Sequence, residues 1–289
     1  MLMRLNVLGE RCNSLRREEL PLKDKGSGKG LDTGTEKWRL LGVETPDDAS
    51  MNMAIEEAIF IAEAEGEVPP TVRFWRSKGA VVIGYSQTVE AEVNLELCER
   101  SGLQVVRRFS GGGATYHDLG NLNYSIAMEA NHPLVKGLEI ADSYVVFASG
   151  VIQGLRELGI HAVFAPPSNV LVEGRRVSGN AQSRRKGAVL HHGTLLVDAD
   201  LDLLDEVLGR HRPRRKSQGV VSKKVPVTNL ADELGRDLNM NEVKAALGRG
   251  FEAAFCMELV PSTFTTTEEM TARRLHAEKY SRKEWNFWR

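Results

Sequence analysis

The segment 168–199, "SNVLVEGRRVSGNAQSRRKGAVLHHGTLLVDA", constrains the fold more than any other stretch of the chain. It reads as consecutive short strands rich in Val and Leu, broken only by turns at Glu173-Gly174 and at the "RRKG" of 184–187. Strands this close in sequence pair antiparallel, because a parallel return needs a crossover of a dozen or more residues. Helical patterns lie on either side, with no strict strand-helix alternation. The class is therefore α+β, a largely antiparallel mixed sheet flanked by helices, and not a doubly wound sheet.

The remaining elements emerge from local pattern. In "TPDDASMNMAIEEAIFIAEAEG", Thr45 is placed as the cap and Pro46 at the first helical position. Met51, Ala54, Ile55, Ala58, Ile59 and Ala62 then form the apolar face of a helix that ends at Gly66. "TVRFWRS" and "AVVIGYSQ" read as strands joined by Lys78-Gly79, and "AEVNLELCERSG" as a short helix carrying Cys98. "LQVVRRF" and "NLNYSIAME" are strands, and residues 139–158 a helix ending at Gly159. "LDLLDEVLG", "NEVKAALGRGFEAAFCMEL" (with Cys256) and "TEEMTARRLHAEKY" are the later helices.

At 289 residues and 42% hydrophobic composition, the chain can bury a large core. Residues 21–37, "PLKDKGSGKGLDTGTEK", offer almost no large apolar side chain to offset ordering entropy. Residues 1–36 are thus expected to be a loosely held extension, and 37–289 one folded domain, closed by a helical segment at 263–289. "GSGKG" is no phosphate loop, since Lys23 stands where its first glycine belongs and Gly30 comes directly after Lys29. A net charge of −1 advertises neither nucleic acid nor membrane. Cys12, Cys98 and Cys256 have no metal-type spacing, and neither a ~20-residue apolar run nor a signal-peptide core is present. A soluble, cytoplasmic protein is the expectation.

Chemistry concentrates in "RRFSGGGATYHDLGN", residues 107–121. Gly111, Gly112 and Gly113 lie between two strands, where a backbone without Cβ atoms can take positive φ and let a ligand press on its N–H groups; a structural turn is the equal alternative. Alternation on a strand lets only one of Arg107 and Arg108 face that loop, where a guanidinium suits a carboxylate or phosphate. His117 and Asp118 either polarise a ligand or hold the loop. His191 and His192 read first as hydrogen-bonded structural histidines, with one of them able to face the site. The basic run "RHRPRRK" at 210–216, with Lys223 and Lys224, is a solvated loop or a grip on phosphates or on an acidic partner.

The stretch "RRFSGGGATYHDLGNLNYS" closely resembles the central motif of lipoate–protein ligases, in the superfamily of biotin ligases and octanoyl/lipoyl transferases. "WRSKGAVVIGYSQ", "SNVLVEGRRVSGNAQSRRKGAVLHHGTLL" and "KSQGVVSKKVPVTNL" resemble three further blocks of that family, in its order, across residues 38 to about 260. The resemblance implies a class II biotin/lipoate ligase-like fold. It also implies the use of ATP and Mg²⁺ to convert lipoate to lipoyl-adenylate, with later transfer to a lysine of an acceptor domain. The acceptor would be the lipoyl domain of a 2-oxoacid dehydrogenase E2 or the glycine-cleavage H protein.

By the same resemblance Arg107, Arg108, Ser110, Gly111, Gly112, Gly113, His117, Asn121, Ser178 and Gly179 hold the acyl substrate. Arg76, Asn169, Ser222, Lys223 and Lys224 hold the nucleotide. Arg176 takes the place of the family's catalytic lysine, and Val170 the place of an aspartate that would favour metal. The stretch after residue 262 is too short for the accessory domain of two-domain members, so either a separate polypeptide supplies it or the chain performs only the transfer half-reaction. Three rivals remain. One is an octanoyl/lipoyl transferase that needs no ATP, although "HAVFAPPSN" holds no cysteine for a thioester. Another is biotin ligation, whose arginine-glycine pattern differs. The third is a non-catalytic subunit.

Overall fold

The computed structural model describes residues 35–209, 221–222 and 225–289. All but the last two residues of the expected 1–36 extension lie outside that range. Glu36 itself already belongs to the sheet, pairing with Met257.

The strands are β1 (Glu36–Leu41), β2 (Thr71–Trp75), β3 (Gly79–Ile83), β4 (Gln104–Arg107), β5 (Thr115–Asp118) and β6 (Asn121–Glu129). β7 (Val163–Ala165), β8 (Asn169–Val172), β9 (Arg175–Arg185), β10 (Ala188–Leu196) and β11 (Met257–Pro261) come after them. An eight-stranded sheet runs in the order β11-β1-β2-β6-β10-β9-β8-β7, and a second, three-stranded sheet runs β4-β3-β5. Only β1 with its two neighbours is parallel in the large sheet; every other pair in it is antiparallel. The mixed, mainly antiparallel α+β architecture expected from residues 168–199 is the one observed. The turns fall where expected, with Glu173, Gly174, Lys186 and Gly187 all at positive φ.

Three local expectations are corrected. β2 and β3 are not a hairpin: the chain leaves the large sheet at Trp75 and enters the small one at Gly79. The first helix, α1 (Ala49–Ala64), is capped by Asp48, whose side chain accepts from Met51 N, because a turn closed by Asp48 N→Thr45 O spends residues 45–48 first. Cys256 is not inside a helix. It stands in a left-handed conformation just past α7 (Met240–Phe255), and Met257 begins β11.

The helices cover both faces of the large sheet. α4 (Ile140–Glu157) and α7 pack together over a core of Trp38, Phe74, Tyr124, Phe147 and Phe251. Their approach is set by glycine, since Gly250 lies against the backbone of Gly150 and Gly154. On the other face α1 packs against β6 and β10 and is covered by α8 (Thr266–Leu275), so it is buried nearly all round rather than on one stripe. Two of its carboxylates, Glu56 and Glu57, are therefore paired internally. Glu57 accepts from Arg185 Nη2, Lys279 Nζ and Tyr280 OH, each at 2.6 Å.

Glu63, further along α1, is 1% exposed, and its Oε1 has no partner. The nearby Arg39 spends its guanidinium on Glu268 and Thr71. Burial pushes the Glu63 carboxyl from near 4.5 up to about 8. The folded chain thus holds a proton that the unfolded chain releases. The stabilisation is complete below about pH 4.5 and is lost as pH rises through about 8. Glu63→Gln is expected to flatten that loss, leaving the variant more stable than the parent by about 2–4 kcal/mol at alkaline pH. Denaturant titrations on either side of neutrality check it.

Candidate functional site

One cavity of about 750 Å³ opens between the small sheet and the end of the large one. α1 contributes Met53 and Glu56, β2 Trp75, β6 Asn123 and Tyr124, and β10 His192 to Thr194. The glycine loop, β5, the Pro166–Asn169 turn, β9 and the segment around Ser222 and Val225–Val227 complete it.

The arginine pair divides, with Arg107 ending β4 and Arg108 the first residue past it. Arg108 turns to the glycine loop, where Nη2 donates to Gly111 O at 2.6 Å and Gly113 O at 2.7 Å. Its Nε reaches Ser110 Oγ at 3.1 Å and its Nη1 Val82 O at 3.1 Å. Nearly all five donors are spent on the loop's own framework, so Arg108 shapes the loop before it meets any ligand. Burial lowers its pKa to about 10, which leaves it charged. Arg107 points the other way, buried outside the cavity.

The glycines serve close approach. Gly112 has φ +90°, and a Cβ there would meet Arg108 Nη2 at 2.9 Å. A Cβ on Gly113 would meet Ser222 Oγ at 2.9 Å. Gly111 faces open space and does not line the cavity. At Gly112 and Gly113 the backbone is packed too tightly for side chains, and both glycines also line the cavity. Ser222 is latched over it, accepting from Ala114 N at 3.0 Å and from Gln87 Nε2 at 3.1 Å, while Ser222 N donates to Glu92.

Arg176 is the unusual group. A register shift between Val170 and Leu171 leaves Val177 without a partner on β8, so Arg176 sits at a bulge. Its backbone bonds to Pro226 and Thr228 fix it further. The side chain lines the cavity and is largely buried, and burial alone lowers its pKa. Its guanidinium has no hydrogen-bond or ion-pair partner among the described residues. A buried, unpaired cation is costly unless an anion or a developing negative charge arrives to meet it.

Of the other expected residues, His117, Asn169 and Gly179 line the cavity. His117 is neutral, its pKa lowered to about 3 by burial and by Arg108. Ser110 is buried just behind the wall, its Oγ 2.7 Å from His192 Nε2. Ser178 is also behind the wall, hydrogen-bonded to Tyr124. Asn121 lies outside the cavity, donating to Asn123 Oδ1, and Asn123 takes the lining position instead. Arg76 is outside too, paired with Glu44 at 3.3 Å. Lys223, Lys224 and the basic run 210–216 lie outside the described residues.

Sequence reasoning missed Glu56, Trp75, Asn123, Tyr124 and Asn180. Glu56 accepts from Ser125 Oγ and holds His192 Nδ1 at 2.8 Å, so the second of the two histidines faces the cavity. Burial opposes ionisation of Glu56, but His192, Ser125 and Arg73 hold its pKa below the usual value. His191 instead stacks on Phe147 at 4.4 Å in the core. A glutamate inside the apolar run "MNMAIEEAIF" was the available signal.

Residues 48–252 match the family described as the lipoyl protein ligase A/B catalytic domain. The chain is 34% identical over 279 residues to an octanoyltransferase LipM of Halalkalibacterium halodurans, covering 87% of this chain and 99% of that protein. It is 35% identical over 258 residues to lipoate-protein ligase A subunit 1 of Thermoplasma acidophilum, covering 86% and 95%. A solved structure of a bi-partite lipoate protein ligase and its E2 lipoyl domain from T. acidophilum superposes with a TM-score of 0.76 at 34% identity, over 87% of this chain and 96% of that one.

Proposed function

The chain belongs to the lipoyl protein ligase A/B catalytic domain family, and from that premise we propose that it moves an octanoyl or lipoyl group onto the ε-amine of a lysine on a lipoyl acceptor domain. The observation that carries this reading is Arg176, a guanidinium unpaired among the described residues, in the wall of a cavity that Glu56, Glu92, Arg108 and Asp205 also line. Lysine Nζ attacks the acyl carbonyl, a C–N bond forms, and negative charge gathers on the carbonyl oxygen. A preorganised cation at that oxygen lowers the barrier because it is already desolvated. The carbon–leaving-group bond then breaks and the attacking nitrogen gives up its proton, leaving an amide.

The relatives of this chain include proteins named octanoyltransferases, which favours transfer from an already activated acyl donor. No cysteine lines the cavity among the described residues. Cys98 is buried on α3 (Leu95–Arg100), with its thiol pushed up to about 11 by burial. In this reading the acyl group passes directly from donor to lysine, without a thioester on Cys98. The lack of a cavity-lining thiol among the described residues also favours a second reading, ATP-dependent activation, which a similar solved structure of a lipoate-protein ligase A bound with ATP supports. ATP would turn the acyl carboxylate into a reactive mixed anhydride, and Arg176 and Asn169 are the residues here that would face its α-phosphate. A protein-held Mg²⁺ fits poorly: Val170 is buried and apolar, and no group of three or more metal-binding side chains exists among the described residues.

A separate accessory polypeptide and a cytoplasmic location belong to the same reading. No helix among the described residues is long and apolar enough to cross a membrane. The test offers purified chain and a lipoyl domain two donors, an octanoyl thioester without ATP and lipoate or octanoate with ATP. Modification with the thioester supports transfer. Modification only with ATP supports the second reading, and only on adding an accessory polypeptide, a bipartite ligase. No modification from either donor, with or without that polypeptide, overturns the reading.

A further inference from the structure

Arg107 is 0% exposed and points away from the cavity, yet it makes more hydrogen bonds than a packing role needs. Its Nη1 donates to the carbonyls of Gly84, Tyr85 and Gln87 at 3.0, 3.0 and 2.8 Å. Its Nε and Nη2 donate to the carbonyls of Trp285, Asn286 and Arg289 at 3.2, 3.1 and 3.4 Å. The main chain of Arg107 is held as well: its N–H donates to Asn286 Oδ1 and its carbonyl accepts from Trp285 Nε1, both at 2.8 Å. One planar guanidinium thus clasps the 84–87 turn on one side and the 285–289 segment on the other, a geometry that lysine cannot reproduce. The segment is fixed independently by Asn286 Nδ2→Tyr280 O at 2.8 Å and by Val89 N→Arg289 O at 3.0 Å. Tyr85 lies beside Trp285 and Trp288 with its ring tilted against both, the centroids 5.9 and 5.5 Å away.

The 84–87 turn touches the glycine loop at two places and reaches it at a third through Ser222. Tyr85 N donates to Ser110 O at 2.8 Å. Gly84 lies directly against Gly112 O, so closely that no Cβ would fit. Gln87 ties its own turn by accepting from Gly84 N at 2.9 Å, and its Nε2 reaches Ser222 Oγ, which accepts from Ala114 N. A continuous set of hydrogen bonds therefore runs from the 280–289 segment through Arg107 and Gln87 to the backbone that lines the cavity.

We propose that Tyr280–Arg289 is a positioning element for the glycine loop, acting through Arg107 and the 84–87 turn. It contributes no residue to the cavity wall, so it sets the geometry of the site rather than taking part in the chemistry. The inference rests on the acyl-transfer reading only for its effect on ligand affinity.

The experiment compares the full chain with a variant lacking residues 287–289 and with Trp285→Phe, each alone and combined with Gln87→Ala. Hydrogen exchange of the glycine loop (110–115) and of the 84–87 turn is expected to speed up about tenfold in both segment variants, with β6 and β10 unchanged. Octanoate is expected to bind more weakly, and in the Gln87→Ala background the segment variants are expected to add little, since both act along one path. Unchanged loop exchange, protection lost evenly across the sheet, or fully additive effects with Gln87→Ala would each overturn the proposal. If the truncated chain does not fold, Trp285→Phe, which removes one hydrogen bond and keeps an aromatic ring, gives the same comparison. The exchange measurement needs no ligand, so failure of octanoate to bind any form would count against the acyl-transfer reading and leave the loop result to decide this one.

Discussion

Arg176→Met is expected to cut acyl transfer by about 10²–10³-fold, the size seen when one preorganised oxyanion donor is removed, and to raise the stability of the unliganded protein. The two effects have one cause. The guanidinium is held largely out of water with no counter-charge among the described residues, and the pKa shift records that cost. Methionine keeps the unbranched stem and discards the charge, which should stabilise the fold by about 1–3 kcal/mol. A structural arginine would behave in the opposite way, since its removal would strand a partner. Arg176→Lys restores a point charge but not a planar fork, so activity is expected between parent and Met variant. Transfer rates and melting temperatures for the three proteins check the account. Met at parent-like activity, or Met markedly less stable, would be incompatible with it.

Gly250→Ala is expected to destabilise the fold by about 3 kcal/mol, or roughly 10 °C in Tm, against helix propensity. Propensity alone favours alanine by about 1 kcal/mol in a helix interior. Packing reverses the sign, because a Cβ on Gly250 would intrude on Gly154 N and Gly150 O, which are backbone atoms that cannot rotate away. α4 and α7 would have to separate, and both carry the aromatic core beneath them. Gly248→Ala is the control. Its Cβ would meet only Leu259 Cδ1 at 3.6 Å, an ordinary contact, so there the propensity gain of up to about 1 kcal/mol is expected to survive. Thermal melts of the two variants should move in opposite directions.

The sequence was most legible where a local pattern decides the outcome. β9 and β10 are readable from their alternation and from turns at Glu173-Gly174 and Lys186-Gly187, whose positive φ values are what such turns require. Alternation on β4 rightly allowed only one of Arg107 and Arg108 to face the loop, but which one is set by the tertiary position of residues 285–289. The same limit hid the split between β2 and β3, which look like a hairpin and join different sheets. Asn121 and Asn123 share a strand face and a side-chain hydrogen bond, so no periodicity says that the second, not the first, reaches the cavity. Glu56 was missed because its partners, Ser125 and His192, lie 69 and 136 residues away. Arg176 stood out through its departure from a resembled motif, and only the structure adds that its charge is unpaired among the described residues.

The most direct measurement of the central claim is a crystal structure with a non-hydrolysable octanoyl-adenylate analogue. The account predicts the acyl chain in the cavity between Trp75 and the glycine loop, with the Arg176 guanidinium within hydrogen-bond distance of the acyl carbonyl oxygen. An acyl chain bound elsewhere, or an Arg176 side chain turned away from that oxygen, would contradict it.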